Sequence, residues 1–269
     1  MLTVPGYDAP GALFTLVPHP VAEAAHFLPL PGARALVTPG LRETARAIAV
    51  GVAERAVVCV HGRAGVGKTF AVRAVLDGAP PARRCLLTLR SRPDAADLRA
   101  ALHHALGLSG AGQADPGAHD VLITDAITGR SPIVVVDEAH QLSPACFEYL
   151  RYVHDAVPGG VCIVLIAGEG GERILDEVRM LASRCAARAE ITPLRPERIA
   201  VAVSRLHRLW KGTRPGLLRR VDADFAHGRL RRWAALTRHT HRVLAASGAA
   251  EVTGEILGQA IRRLDPGFT

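Results

Sequence analysis

Eight residues, Gly62-Arg63-Ala64-Gly65-Val66-Gly67-Lys68-Thr69, constrain this chain more than any other stretch. Two glycines with four residues between them, then Lys, then Thr, fit the pattern of a phosphate-cradling loop. Directly before the loop, Ala56-Val57-Val58-Cys59-Val60 is a short apolar, β-branched run that predicts a buried strand. Directly after it, Phe70 to Leu76 predicts a helix. Glycines let the main chain curve with its N–H groups pointing inward. The helix N-terminus adds partial positive charge where phosphate would sit. The chain has 33 Lys plus Arg, yet only Lys68 and Lys211 are lysine. At position 68 the compact ammonium has a use that a guanidinium fork does not share. A chance glycine-rich turn is the bland alternative, and the flanking elements argue against it.

On this reading Gly62, Arg63, Ala64, Gly65, Val66, Gly67, Lys68, Thr69 and Phe70 surround a nucleoside triphosphate, with ATP the expected ligand. Lys68 reaches the β- and γ-phosphates, and Thr69 ligates Mg²⁺. A second chemical feature lies 69 residues beyond Lys68. Ile133-Val134-Val135-Val136 predicts a central strand, and Asp137-Glu138 ends it. In open α/β sheets that end is where ligands bind. Asp137 is the expected Mg²⁺ holder, acting through water. Glu138 is the expected base that polarises an attacking water. The competing use is a charged pair at the entry to a helix. Asp137-Glu138-Ala139-His140 also spells the signature of one helicase class, but that class needs two tandem motor domains and this chain has room for one.

At 269 residues, half of them hydrophobic, the chain can bury a full α/β core plus one small accessory domain. No apolar run approaches a membrane span, and the N-terminus lacks a charged, cleavable leader, so a cytoplasmic protein without membrane contact is expected. The five cysteines are scattered singly and predict reduced core residues. The histidines show no metal spacing, and His103-His104 reads as a surface pair. Net charge is +8 but uneven: residues 195–242 hold 13 Lys/Arg against Glu197, Asp222 and Asp224. That imbalance points to a polyanion, most simply DNA, with a solvated Arg-rich face as the alternative.

Residues 1–37 contain six prolines and predict an arm packed on the core or on a neighbouring subunit, with a short strand at Leu13–Val17 and a helical turn at Ala22–Phe27. Residues 38–195 alternate helices and strands. The helices run from Thr38-Pro39 to about Val50, after Asp94, over Ala118–Thr128, and from Ser143-Pro144 to Val157. The other strands are Cys85–Leu89, Val161–Ala167 and a short fifth near Ala189–Ile191. This alternation predicts a mostly parallel sheet with right-handed crossovers. Residues 196–269 are all helical and basic.

Over residues 38–265 the chain resembles AAA+ ATPases. The resemblance implies an α/β P-loop fold, with a five-stranded parallel sheet ordered 5-1-4-3-2, helices on both faces, and a small all-α lid. It also implies two arginine roles. Leu181-Ala182-Ser183-Arg184-Cys185 stands where that family puts its arginine finger, so Arg184 would reach a neighbouring subunit's ATP, with Arg188 as second candidate and a plain surface arginine as the bland reading. Gly228-Arg229-Leu230-Arg231 resembles the sensor 2 motif, with Arg231 contacting phosphate in cis and Arg232 the fallback. One motif departs from the family: after the fourth strand the usual polar sensor 1 is replaced by Ala167, Gly168 and Glu169.

Within the family, Ile166-Ala167-Gly168-Glu169 and the later Arg184, Arg188 and Pro193-Leu194 are similar to the transposon target-selection ATPases of the MuB, TnsC and TniB type. That similarity implies an ATP-bound homo-oligomeric ring or filament on DNA that recruits a transposase. Candidate backbone contacts are Arg90, Arg92, Arg238 and Arg242, of the kind that gives steep salt dependence and little sequence preference. Two other readings remain open. One is an ATP-gated scaffold with little turnover that docks a protein partner, as a secretion-linked ATPase would. The other is a loader of clamp-loader or initiator type.

Overall fold

The computed structural model describes residues 28, 30–109, 115–170, 181, 183–265 and 267. They fold into two compact units that interleave along the chain. The first contains Pro39–Gly62 and Ala71–Ile191. The second takes the described residues up to Thr38, then Arg63–Phe70, and everything from Thr192 onward.

The first unit is built on a five-stranded parallel sheet ordered β2-β3-β4-β1-β5, which is the order 5-1-4-3-2 read from the other edge. The strands are β1 (Val57–His61), β2 (Arg84–Leu87), β3 (Ile133–Val136), β4 (Cys162–Ile166) and β5 (Cys185–Glu190). Every residue of β1, β3 and β4 is buried, as expected of parallel strands covered on both faces. Alternate residues serve opposite faces. Val57, Cys59, Val134, Val136, Ile163 and Leu165 join one cluster with Leu98, Leu102, Ile123, Ile127, Leu150 and Val153. Those partners come from α3 (Ala95–Ala105), α4 (Pro116–Arg130) and α5 (Pro144–Ala156). The other face meets α1 (Pro39–Glu54) so closely that a Cβ on Gly51 would lie 2.2 Å from Val58 Cγ2. The sheet therefore carries helices on both faces, and the fold is the expected P-loop α/β fold.

Local chemistry sets the helix ends. Asp94 and Asp97 form a reciprocal capping box at α3. Ser143 accepts from the Cys146 N–H at α5, and Asp115 caps α4. At several boundaries the structure departs from expectation. α1 runs through Gly51 to Glu54, because the missing side chain is what lets the helix approach Val58. α4 starts at Pro116, two residues early. β5 begins at Cys185 rather than near Ala189, with a register shift against β1 between Val57 and Val58. His103 is buried rather than superficial, while His104 is exposed. The expected strand at 13–17 and turn at 22–27 lie outside the described residues.

Cys59, Cys85, Cys146 and Cys162 are buried thiols. Burial pushes the Cys85 and Cys162 thiols up to about 12, so they stay protonated and inert. Among the described residues no helix is long and apolar enough to cross a membrane.

The second unit is helical: α6 (Pro196–Leu206), α7 (Pro215–Val221), α8 (Leu230–Ser247) and α9 (Gly254–Arg262). α7 escaped the sequence reading because seven residues carry too little periodicity. Its core gathers Ile199, Val203, Trp210, Leu218, Trp233, Leu236 and Leu257, with Trp210 and Trp233 edge to face at 5.6 Å. The described part of the arm belongs here: Leu28 is buried in this core, and the Arg34 N–H donates to Leu206 O at 2.8 Å.

Candidate nucleotide-binding site

The glycine loop begins where β1 ends. Gly62 has φ +145°, and a Cβ there would lie 2.2 Å from Ile191 O. Ile191 cannot recede, because its N–H donates to His61 O at 2.8 Å. Gly65 and Gly67 also have positive φ, the backbone conformation that lets successive N–H groups form an anion-binding nest. Val66 is buried, whereas Arg63 and Ala64 are exposed. Lys68 opens α2 (Lys68–Leu76), and its ammonium donates to Arg63 O at 3.0 Å, folding the side chain back over the loop. Thr69 and Phe70 follow, both half-buried.

In the same unit, α8 starts against this loop. The Arg231 N–H donates to Gly65 O at 2.9 Å, and a Cβ on Gly65 would sit 3.2 Å from Arg231 Cβ. A buried carboxylate aims the helix. Asp222 Oδ1 accepts from the Gly228 N–H and from Trp233 Nε1, each at 2.8 Å. Gly228, at φ +70°, passes so near Leu194 that a Cβ would be 2.4 Å from its carbonyl oxygen. These contacts separate the two sensor 2 candidates. Arg232 lies over the Phe225 ring at 5.3 Å and donates to the Phe225 carbonyl. Arg231 is exposed, at the loop.

The carboxylates belong to the sheet unit. Because its strands are parallel, the ends of β1, β3 and β4 share one edge of the sheet. Asp137, half-buried, follows β3 there, and its Oδ1 accepts from the Glu138 N–H at 2.9 Å. Glu138 is exposed and left-handed at φ 52°, ψ 38°, a conformation that costs about 1 kcal/mol in a residue with a Cβ. A single 3₁₀ turn, Ala139–Gln141, brings His140 alongside. His140 Nδ1 is 3.2 Å from the Gly168 N and 3.4 Å from Glu138 Oε2. The Thr69 hydroxyl and the Asp137 carboxylate are hard oxygen donors that suit Mg²⁺. Among the described residues no group of three or more His, Cys, Asp or Glu is placed to hold a metal ion.

Arg184 is paired within its own chain. Its Nε and Nη2 donate to the two carboxylate oxygens of Asp155 at 2.7 and 2.8 Å. The guanidinium holds the Asp155 carboxyl below the usual carboxylate range. Arg188 lies within β5, exposed, rather than in a turn. Glu169 is exposed at the turn after β4. Among the nucleic-acid candidates, Arg90 is exposed and paired with Asp97 at 2.6 Å and Asp94 at 3.7 Å. Arg92 and Arg242 are exposed, and Arg238 is half-buried. His140, Asp155 and Asp222 were not chosen from the sequence. His140 stood in the signature string with no role attached. Asp155 has Arg151 four residues before it as a local partner, at 3.5 Å, but its bidentate partner Arg184 lies 29 residues away, and the partners of Asp222 lie 6 and 11 away.

The sheet order, the loop and the acidic strand end together make this a P-loop AAA+ fold. In agreement, residues 52–175 match the AAA domain family. No curated protein matches the sequence. Solved structures share the fold at low identity. The Aeropyrum pernix ORC2 protein, in ADPNP and ADP complexes, superposes with TM-score 0.66 at 14% identity over 87% of this chain and 69% of that one. The Aeropyrum pernix ORC1 protein in complex with DNA gives 0.67 at 18%, over 86% and 66%. Cdc6p from Pyrobaculum aerophilum gives 0.71 at 12%, over 91% and 71%.

Proposed function

We propose that this chain is an ATPase that binds and hydrolyses Mg-ATP between subunits of a homo-oligomer assembled on DNA, and that it regulates transposition by selecting target DNA and recruiting a transposase in the cytoplasm. The observation that carries the nucleotide step is the loop itself: three positive-φ glycines, an ammonium folded over them and a second helix start bonded to Gly65. Main-chain amides and Lys68 would hold the phosphates, with Arg231 adding charge in cis. Thr69 and Asp137 would hold Mg²⁺, which neutralises charge on the phosphates when bound. Glu138 would take the proton of the attacking water, and Arg184 would serve a neighbouring subunit. The basic stretch 195–242, in the helical unit, supports a polyanionic partner, with Arg238 and Arg242 the candidates within it and Arg90 and Arg92 outside it. One ORC1 relative was solved with DNA, and one ORC2 relative with nucleotide. The finer role in transposition rests on the motif similarity alone.

The test is assembly. Lys68→Ala should abolish nucleotide binding and oligomer formation. Glu138→Gln should accumulate DNA-bound oligomers visible by electron microscopy with ATP and duplex DNA. Discrete monomers under every nucleotide would refute the reading. A second reading, an ATP-gated scaffold or loader with little turnover, is favoured by the Arg184–Asp155 pair, which satisfies the finger within its own chain. Phosphate release with and without DNA separates the two. DNA-stimulated turnover lost in Arg184→Ala excludes the scaffold.

A further inference from the structure

One ring nitrogen at the end of the sheet has two partners that it cannot serve together. His140 Nδ1 lies 3.2 Å from the Gly168 main-chain N and 3.4 Å from Glu138 Oε2. The Gly168 N–H is a donor, so it needs a bare Nδ1. The Glu138 carboxylate is an acceptor, so it needs a hydrogen on Nδ1. A bare Nδ1 turns its lone pair toward the carboxylate and repels it. A protonated Nδ1 holds the carboxylate and releases the Gly168 amide. The ring, itself exposed, lies beside the turn: a Cβ on Gly168 would meet its Cε1 at 3.4 Å. Glu138 itself is exposed and sits in a strained left-handed turn, so its backbone alone gives the carboxylate no further support.

We infer that His140 is a positioning residue for Glu138, setting where that carboxylate stands by exchanging its Nδ1 between Glu138 and the Gly168 amide at the end of β4. The inference rests on the reading of Glu138 as the water-activating base. It makes the strand-end turn at Gly168 part of the same device. Holding Glu138 leaves the Gly168 amide open to another acceptor, and engaging Gly168 lets Glu138 swing. The ring needs no change of net charge to act, only the choice of which nitrogen carries the hydrogen.

The experiment is steady-state ATP turnover of the full chain with three replacements of His140. His140→Phe keeps a ring of similar shape without nitrogens and should lower kcat roughly ten- to a hundredfold with KM for ATP unchanged, the size expected from misplacing a reacting group. His140→Ala should do the same, and His140→Asn, whose amide offers both a donor and an acceptor, should recover most of kcat. In a Glu138→Gln background His140→Phe should cost nothing further. A His140→Phe variant as active as the parent, or an equal loss when Glu138→Gln is already present, overturns the inference while leaving Glu138 as base. Full turnover in Glu138→Gln alone overturns the site reading first. A measurement independent of turnover is the ring ¹⁵N shift of His140. Glu138→Gln should move the Nδ1 signal, and an unmoved signal overturns the partnership.

Discussion

Asp222 offers the sharpest test of how the helical unit holds the start of α8 against the glycine loop. A single oxygen, Oδ1, accepts both the Gly228 N–H and Trp233 Nε1–H, each at 2.8 Å, and all three residues are buried. Asp222→Ala strands two buried donors, each costing about 1–3 kcal/mol, so the expected loss is about 2–6 kcal/mol. Asp222→Asn keeps an Oδ1 in the same position and loses only the charge assistance, for an expected loss under about 1.5 kcal/mol. The chain provides its own reporters, since its only two tryptophans, Trp210 and Trp233, pack edge to face in this core. Urea unfolding followed by their fluorescence measures both variants. Mg-ATP affinity should follow the same order, because the Ala change loosens the turn that sets the Arg231 N–H on Gly65. Equal losses in the two variants, or an Ala variant within about 1 kcal/mol of the parent, would refute the reasoning that one oxygen does both tasks.

Other outcomes follow from the same geometry. Gly62→Ala should destabilise by more than about 2 kcal/mol, read as a lowered Tm, because its Cβ would meet a tethered carbonyl in a φ region that L residues avoid. His207 is buried, its Nδ1 accepting from the Leu209 N–H and its Nε2 set to donate to Pro31 O. Desolvation is the main cause holding its pKa below the ordinary histidine value. The neutral form is therefore favoured on folding, the stability it contributes is complete above about pH 6.5, and it is lost as pH falls through the folded pKa. The protection of the Arg34 amide, its exchange rate relative to the intrinsic rate at the same pH, should accordingly fall on acidification below about pH 6.5, and His207→Gln should flatten that dependence. Arg184→Ala should leave ATP binding intact and reduce oligomer turnover by about 10³ or more.

The contrast between Asp137 and Asp155 marks how far reading along the chain reached. Asp137 was legible because a run of β-branched residues ended at it, and strand ends are local events. Asp155 was not, because its meaning depends on Arg184 arriving beside it from 29 residues away. The helix caps at Asp94 and Ser143 are equally local and open to reading, whereas the helix capped by Asp115 starts earlier than periodicity suggests. Gly51 misled for the opposite reason. Along the chain it resembles a helix stop, yet in space it is the point where α1 presses on Val58.

Sequence alone determined the glycine loop, its lysine, the acidic end of β3 and the alternation that makes a parallel sheet, because each depends on residue types within one element. Tertiary structure decided the rest: that Arg231 rather than Arg232 borders the loop, that Arg184 is gripped by Asp155, and that His140 stands between Glu138 and Gly168. Those outcomes depend on which distant surfaces pack together, and hydrogen-bond partners brought together only by that packing leave no periodic mark in the chain.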